Sequence, residues 1–233
     1  MKSVFPKMSK LASAGIFAKK LLKWWQNNKR EFPWRKTHNS YKILISEILL
    51  HRTRANQVIP VYLEFLERFP TVAAISEASI EDVKKILYPL GLSWRAEFLH
   101  KMALEIMEKY EGKIPFKTKE LEALPGVGQY IAAAVRCFCH GYPEVLLDTN
   151  TVRIIGRFFG IEKTDSSRRN RQFRELYEPL IDQKRPREFN YAMIDLGALI
   201  CKPNNPICSI CPLGKKCKYR IKEAREKIFL ENS

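Results

Sequence analysis

The stretch KELEALPGVGQYIAAAVRCFC, residues 119–139, contains two short helical patterns joined by a Pro-Gly-X-Gly turn. Lys119–Leu124 and Gln129–Cys139 carry apolar residues at helical spacing, and the residues between them are typical of a tight turn. Gly126 and Gly128 can adopt positive φ, and neither places a side chain between the backbone and a ligand. We therefore predict a helix-hairpin-helix motif.

A turn of this kind aims the N–H groups at a helix N-terminus toward a phosphate oxygen, and such a contact is blind to base sequence. The alternative is a packing turn between two core helices. The chain has 41 Lys and Arg residues against 25 Asp and Glu residues, a formal net charge of +16. This excess favours nucleic acid as the partner, with an acidic membrane surface or an acidic protein as the alternative. We expect Gly126, Val127, Gly128 and Gln129 to contact the backbone of double-stranded DNA.

The rest of the chain predicts an all-α protein. Its 233 residues are 45% hydrophobic and 28% charged, which excludes the disordered and collagen-like classes and fits one large domain or two small, closely joined ones. No apolar run reaches the roughly 18 residues of a membrane helix, so we expect no transmembrane segment and a cytoplasmic, nucleoid-associated protein. Apolar residues recur at helical spacing, with no alternating run that indicates a sheet, in Tyr41–Leu49, Val58–Phe69, Leu99–Tyr110, Phe173–Ile181 and Phe189–Ile200.

The first 30 residues contain no acidic side chain, which resembles an organellar transit peptide. However, Phe17, Leu21, Trp24 and Trp25 are spaced as one face of a core helix. We therefore predict that this segment is a helix of the folded protein.

Four of the six cysteines, Cys201, Cys208, Cys211 and Cys217, have the spacing C-x6-C-x2-C-x5-C. A basic chain without a signal segment belongs in a reducing compartment, where clustered cysteines more often bind metal than form disulfides. Structural zinc usually takes two pairs of closely spaced cysteines, and only Cys208 and Cys211 form such a pair. The spacing therefore favours a [4Fe-4S] cluster, with zinc as the alternative.

Two acidic residues are candidates for chemistry. Asp148, in the stretch LDTNTVR (147–153), is predicted to be the N-cap of a helix that runs to Phe159, a role worth about 1 kcal/mol. A carboxylate held at a helix N-terminus can also stabilise positive charge that develops on a substrate. Glu47 interrupts an apolar stretch, residues 43–50, and the pattern alone predicts that it lies on a solvated face.

The hairpin LPGVG (124–128), Asp148 and the terminal four-cysteine loop, in that order and spacing, resemble the endonuclease III superfamily of helix-hairpin-helix, Gly/Pro-Asp DNA glycosylases. The resemblance covers nearly the whole chain. EFPWR (31–35), SEILLHRT (46–53) and GVGQY (126–130) are most similar to the branch that contains adenine glycosylases and thymine mismatch glycosylases.

The resemblance implies two helical lobes and a monomer that binds double-stranded DNA carrying a mismatched or damaged base. Residues 36–146 would form a six-helix lobe with the helix-hairpin-helix at about 119–139. Residues 1–35 and 147–233 would form a second lobe with the [4Fe-4S] loop at 201–217.

Three differences from the patterns of the superfamily indicate which branch this chain resembles most. Bifunctional members carry a lysine nucleophile where this chain has Tyr130, so strand-cleaving lyase activity should be weak or absent. Adenine glycosylases typically carry a further C-terminal recognition domain, whereas 16 residues follow Cys217. They also usually have two glutamines where this chain has His51 and Arg52, while the thymine mismatch enzymes resemble Arg52-Thr53 and Tyr130.

The resemblance therefore implies a monofunctional glycosylase that removes thymine or uracil mispaired with guanine by base flipping and hydrolysis. Asp148 would stabilise the sugar cation, Tyr130 and Glu47 would line the base pocket, and Arg52 would fill the gap in the duplex. Lys202, in the ordered cluster loop, would meet the DNA backbone. The alternatives are an adenine glycosylase without its recognition domain and a non-catalytic, structure-selective DNA-binding protein. Four nearby arginines form either a further phosphate-binding patch or a solvated face. They are Arg168, Arg169, Arg171 and Arg174.

Overall fold

The computed structural model describes residues 7–164 and 167–231, and this part of the chain contains twelve α-helices and no β-strand. The prediction of an all-α fold is confirmed. No helix among these residues combines the length and the apolar character needed to cross a membrane. The α-helices are α1 (Lys7–Gln26), α2 (Ser40–Leu50), α3 (Ala55–Arg68), α4 (Val72–Glu77), α5 (Ile80–Leu87), α6 (Ala96–Tyr110), α7 (Thr118–Ala123), α8 (Gln129–His140), α9 (Thr149–Phe159), α10 (Arg171–Tyr177), α11 (Pro186–Leu199) and α12 (Lys218–Glu231).

The chain divides into two compact units. The internal unit is Glu31–Tyr142, and the terminal unit is the described part of Met1–Arg30 together with that of Pro143–Ser233. The terminal unit is therefore built from segments that lie more than a hundred residues apart in the sequence.

The internal unit contains seven α-helices, α2 to α8, rather than the six expected. The segment between α3 and α6 supplies two short helices because two hydroxyl side chains start separate turns. Thr71 Oγ1 accepts the Ala74 N–H at 3.2 Å, and Ser79 Oγ accepts the Asp82 N–H at 3.1 Å. The core of this unit includes fully buried Leu44, Leu49, Phe65, Ala103 and Phe138.

The core of the terminal unit joins α1 to α9, α10 and α11. Phe17 of α1 lies at 6.2 Å from the ring of Phe189 on α11, and the Tyr177 ring lies at 6.0 Å from that same ring. Phe17 and Leu21 are buried, and Trp24 and Trp25 pack partly buried against the same core. The prediction of a core helix in this segment is confirmed.

Candidate active site and DNA-contacting residues

The hairpin consists of α7, a turn and α8, and the predicted helix-hairpin-helix is confirmed. The turn closes when the Val127 N–H donates to the Leu124 carbonyl at 3.0 Å. Gly126 has φ +78°, in the left-handed region that favours glycine. This glycine is therefore needed for the path of the backbone.

Gly128 does not use the positive φ that glycine permits. Its φ is −92°, a value that any residue can adopt. A Cβ placed on Gly128 would meet none of the described atoms within 4 Å. Neither the conformation of the backbone nor packing within this part of the chain accounts for a glycine here. It leaves open space beside the N-terminus of α8, where the N–H of Gln129 has no intrahelical acceptor.

The expected contact through Val127 is not supported by the geometry. Its side chain is buried and its N–H already donates to Leu124. The turn geometry uses this donor internally, so the groups that can reach a phosphate begin at Gly128 and Gln129.

Glu47 lies on α2 and is only 6% exposed, so the expectation of a solvated face is wrong. The reason is that α2 packs against both α3 and α8, which leaves residues 43–49 of this helix buried on every side. Tyr130 is half-buried in the first turn of α8. The structure thus places the two predicted pocket residues on neighbouring helices.

Arg52 is exposed and follows the C-terminus of α2. Its φ is +65°, a left-handed conformation that is uncommon for a residue with a side chain. An exposed cation in a constrained turn suits contact with an anionic ligand.

Asp148 is half-buried and caps α9, as predicted. Its Oδ1 accepts the Thr151 N–H at 2.7 Å, and Thr151 Oγ1 accepts the Asp148 N–H at 2.8 Å. This reciprocal capping box fixes the carboxylate at the positive end of the helix dipole.

A further hydrogen-bond chain reaches the second oxygen of Asp148. Asn150 Nδ2 donates to Asp148 Oδ2 at 2.9 Å, and Arg153 Nη2 donates to Asn150 Oδ1 at 2.7 Å. Arg153 Nε also donates to the Cys201 carbonyl at 2.7 Å. The carboxylate is therefore connected through two side chains to the first cysteine of the loop.

Asn150 and Arg153 were not predicted as site residues. Both lie within five residues of Asp148, and this proximity is the only feature of the sequence that could have indicated a role in the site. A buried arginine cannot be recognised from local spacing because its partners, such as the Gly197 carbonyl at 2.8 Å, come from a distant helix.

The four cysteines lie half-buried in the segment between α11 and the start of α12. Arg157 of α9 holds this segment: its Nη1 donates to the Lys202 carbonyl at 2.6 Å and lies 3.4 Å from Cys201 Sγ. The Cys217 thiol lies 3.5 Å from the Arg157 carbonyl, to which it donates. One arginine therefore contacts both ends of the predicted ligand loop.

Burial raises the pKa of Cys208 and Cys217, and it raises the pKa of Cys211 to about 11. In each case the neighbouring thiols of the loop act in the same direction, so the four sulfur atoms lie within electrostatic range of one another. Among the described residues, no group of three or more His, Cys, Asp and Glu side chains is arranged to hold a metal ion.

The remaining basic candidates are exposed. Lys202 lies in the cysteine loop, and the side chain of Arg171 is paired with Glu175 through a 2.6 Å contact. Arg168, Arg169 and Arg174 are exposed as well, and their role remains a prediction.

The two units hold different parts of the predicted site. The internal unit contains the hairpin, Tyr130, Glu47 and Arg52, and the terminal unit contains Asp148, Lys202 and the cysteine loop. In the terminal unit, Asp148 is linked to the cysteine loop through the hydrogen bonds of Asn150 and Arg153.

Comparison with known proteins identifies the family. Residues 45–179 match the HhH-GPD superfamily of base excision DNA repair proteins. The chain belongs to this superfamily. The resemblance seen in the hairpin, Asp148 and the cysteine loop is thus confirmed at the level of the family.

Similar proteins include two glycosylases with different bases in their names. This HhH-GPD protein is 36% identical over 217 residues to the thymine/uracil-DNA glycosylase of Pyrobaculum aerophilum, with 90% of this chain and 94% of that protein covered. It is 33% identical over 230 residues to the adenine DNA glycosylase of Buchnera aphidicola subsp. Schizaphis graminum, with 93% of this chain and 65% of that protein covered.

Solved structures agree with this assignment. A thermostable thymine-DNA glycosylase aligns with a TM-score of 0.84 and 35% identity, over 91% of this HhH-GPD chain and 98% of the other. An endonuclease III in a non-covalent complex with DNA aligns with a TM-score of 0.78 and 23% identity, over 92% and 98% of the two chains, which shows the shared fold.

Proposed function

We propose that this protein is a base-excision repair DNA glycosylase that flips thymine or uracil mispaired with guanine out of the duplex and hydrolyses its N-glycosidic bond. The observation that carries the proposal is the Asp148 carboxylate, which is fixed on both oxygens at the start of α9 in a chain of the HhH-GPD superfamily. The identity of 36% to a thymine/uracil-DNA glycosylase over most of both chains supports the choice of base.

The hairpin is the proposed binding site for the DNA backbone. The left-handed Gly126 brings the chain around the turn, and Gly128 leaves open space beside the N-terminus of α8. A phosphate oxygen in that space would accept the N–H of Gln129 and gain from the helix dipole. The net charge of +16 and the exposed Lys202 add attraction for DNA that does not depend on base sequence.

Base flipping precedes the chemical step. Extruding a nucleotide costs a few kcal/mol, and the cost is lower for a mispaired base, so the enzyme favours mismatches from the outset. Tyr130 and Glu47 line the proposed base pocket, and Arg52 fills the gap left in the stack. The burial of Glu47 supports its assignment to a pocket.

Asp148 is the proposed catalytic residue. Rupture of the glycosidic bond leaves positive charge on the sugar, and a preorganised carboxylate stabilises that charge without reorganisation. The same carboxylate orients the attacking water or takes its proton. Thr151 and Asn150 occupy one lone pair on each oxygen, and each oxygen keeps a second acceptor position.

We also propose that Cys201, Cys208, Cys211 and Cys217 bind a [4Fe-4S] cluster. Four thiol side chains in one segment, held to α9 by Arg157, fit the four-thiolate ligand set of such a cluster. Each of the four cysteines would supply one thiolate ligand to the cluster. When bound, the cluster would cross-link this loop and present Lys202 to the DNA backbone. Zinc is the alternative.

The test is incubation of the purified protein with duplexes that carry T:G, U:G, A:G and A:8-oxoguanine, followed by hot alkali to reveal abasic sites. We expect cleavage at thymine and uracil only. Cleavage at adenine would identify an adenine glycosylase, and binding without base release from any duplex would identify a non-catalytic DNA-binding protein.

Tyr130 is expected to separate base release from strand scission. A phenol cannot form the imine that a lysine amine forms with an opened deoxyribose, so the product should be an intact strand with an abasic site. Tyr130→Lys should gain borohydride-trappable strand cleavage, while Tyr130→Phe, the matched control, should not. Efficient borohydride trapping by the wild type would show that a lysine elsewhere in the chain supplies the amine.

A further inference from the structure

Arg95 is a buried cation that the proposed chemistry does not use. It is 6% exposed and lies immediately before α6. Its guanidinium donates to the Ile48 carbonyl and to the His51 carbonyl, the latter at 3.2 Å. A helix ending at Leu50 leaves its last carbonyls without intrahelical donors, so Arg95 caps α2 from a different element.

The same guanidinium fixes the side chain of His51. Arg95 Nη2 lies 2.7 Å from His51 Nδ1. Arginine has only donors, so Nδ1 of His51 is the acceptor in this hydrogen bond. Arg95 therefore holds His51 through both its backbone and its ring.

The next residue, Arg52, has the left-handed φ of +65°. For a residue with a side chain this conformation is unfavourable and persists only where the surroundings impose it. Thr53 donates its N–H to the Leu50 carbonyl at 3.2 Å on the far side of the turn. Together with Arg95, this contact holds both flanks of Arg52.

Arg52 and Arg95 carry like charges that interact with each other. Burial and the charge of Arg52 both lower the pKa of Arg95, so the two guanidinium groups lie within range of mutual repulsion. Arg95 is held by three acceptors, whereas Arg52 is exposed. The repulsion therefore disfavours positions of the Arg52 guanidinium close to Arg95.

Contacts connect this turn to the hairpin. The Arg95 guanidinium lies 4.8 Å from the Trp94 ring centroid, and the Trp94 ring lies edge-on to Phe98 at 6.0 Å. A Cβ on Gly126 would lie 3.5 Å from the Cβ of Phe98. Trp94 and Phe98 are both exposed, at 58% and 45%. Trp94 and Phe98 thus form a line of exposed rings between Arg95 and the hairpin turn.

We propose that Arg95 is a positioning residue for Arg52, which it presents to the duplex held by the hairpin. This inference rests on the proposed function, because the contact of Arg52 with DNA is part of that proposal. Arg95 itself does not touch the substrate and acts by holding the turn after α2.

A double-mutant cycle tests the proposal with Arg52→Ala, Arg95→Met and the variant that carries both changes. Each single change should slow single-turnover thymine release from a T:G duplex about tenfold, and the double variant should be no slower than Arg52→Ala. A merely structural role would instead make the two losses multiply to about a hundredfold. That result would overturn the proposal.

Affinity for the same duplex, measured by fluorescence anisotropy, gives a second cycle that does not need base release. A wild type that binds DNA without releasing any base would remove the proposed function, while the affinity cycle would still decide the role of Arg95. Lys109→Met, which removes an exposed cation paired with Glu105 on the same helix, should leave rate and affinity unchanged.

Arg95→Lys keeps the charge but offers a single ammonium in place of the planar fork. It should recover part of the lost rate and show the same dependence on Arg52. Should Arg95→Met fail to fold by circular dichroism, Arg95→Lys replaces it in both cycles. A normal rate for a folded Arg95→Met variant would also overturn the proposal.

Discussion

At the scale of single residues, the Asp148 carboxylate combines a structural and a proposed chemical role because its two oxygens are used differently. Oδ1 caps α9 through the Thr151 N–H, and Oδ2 accepts from Asn150. Capping requires an acceptor atom, whereas stabilising a sugar cation requires a full negative charge. Substitution can therefore separate the two roles.

Asp148→Asn and Asp148→Ser keep a capping oxygen but remove the charge. Both variants should retain the wild-type melting temperature within a few degrees and bind mismatched DNA, while single-turnover base release falls by about 10² or more. Asp148→Ala should lose the same activity and in addition about 1 kcal/mol of stability. Near-normal rates in Asp148→Asn would leave Asp148 with the capping role alone.

Gly197 makes room for the side chain that contacts Asp148. A Cβ on Gly197 would lie 2.5 Å from the Cβ of Asn150, too close for both to keep their places. Gly197→Ala should therefore lower the melting temperature and slow base release, because Asn150 must shift relative to Asp148. Calorimetry and single-turnover kinetics measure the two effects.

Gly15 offers a matched control for Gly197. It is also a helical glycine of the terminal unit, and a Cβ there would meet no described atom within 4 Å. Gly15→Ala should raise stability by about 0.5–1 kcal/mol, since alanine loses less backbone entropy in a helix. Equal effects of the two substitutions would contradict the packing role assigned to Gly197.

At the scale of the element, the two hairpin glycines differ in the reason for their presence. Gly126 has a left-handed backbone, whereas Gly128 is extended and borders open space. The first glycine serves the turn, and the second is proposed to serve the approach of a phosphate.

Gly128→Ser should keep or raise stability, because serine is a better N-cap than glycine. Its side chain would occupy the space beside the first turn of α8, so affinity for duplex DNA should fall by about tenfold, the scale of one lost hydrogen bond to a charged group. Chemical denaturation and fluorescence anisotropy would show these opposite effects.

Gly126→Ala provides the contrasting variant. Alanine at φ +78° should cost about 1–2 kcal/mol of stability. If Gly128→Ser instead destabilised the protein and left DNA affinity unchanged, the hairpin would be a packing turn and not a DNA contact.

At the scale of the whole molecule, both ends of the chain contribute to one core, and the cysteine loop belongs to the same unit. Phe17 of α1 packs beside Phe189 of α11, and Arg153 and Arg157 of α9 bind the backbone of the loop. A change in the loop should therefore affect the terminal unit before the internal unit.

The purified protein should be brown, with broad absorption at about 400 nm from the proposed [4Fe-4S] cluster. Cys208→Ser should bleach this band and reduce hydrogen-exchange protection in α9 and α11, since cluster assembly is coupled to folding. Protection in α8 should change little. Cys139→Ser, which removes a thiol outside the loop, is the control, and a colourless wild type with one bound zinc would contradict the cluster.

Local patterns in the sequence determined most elements of this protein. The apolar spacing predicted the helices, the Pro-Gly-X-Gly stretch predicted the hairpin, and the sequence LDTNTVR predicted the capped start of α9. These features depend on neighbours within about four residues, so a single stretch of sequence contains the information that they require.

Only the tertiary structure decided which polar groups are buried and what surrounds them. Glu47 is covered because α8, some eighty residues away, packs on α2, and Arg95 is buried because its acceptors lie at the end of that same helix. Gly197 and Asn150 likewise meet only after α9 and α11 pack together. Burial and hydrogen bonding of such groups are set by contacts between distant segments, which local periodicity does not encode.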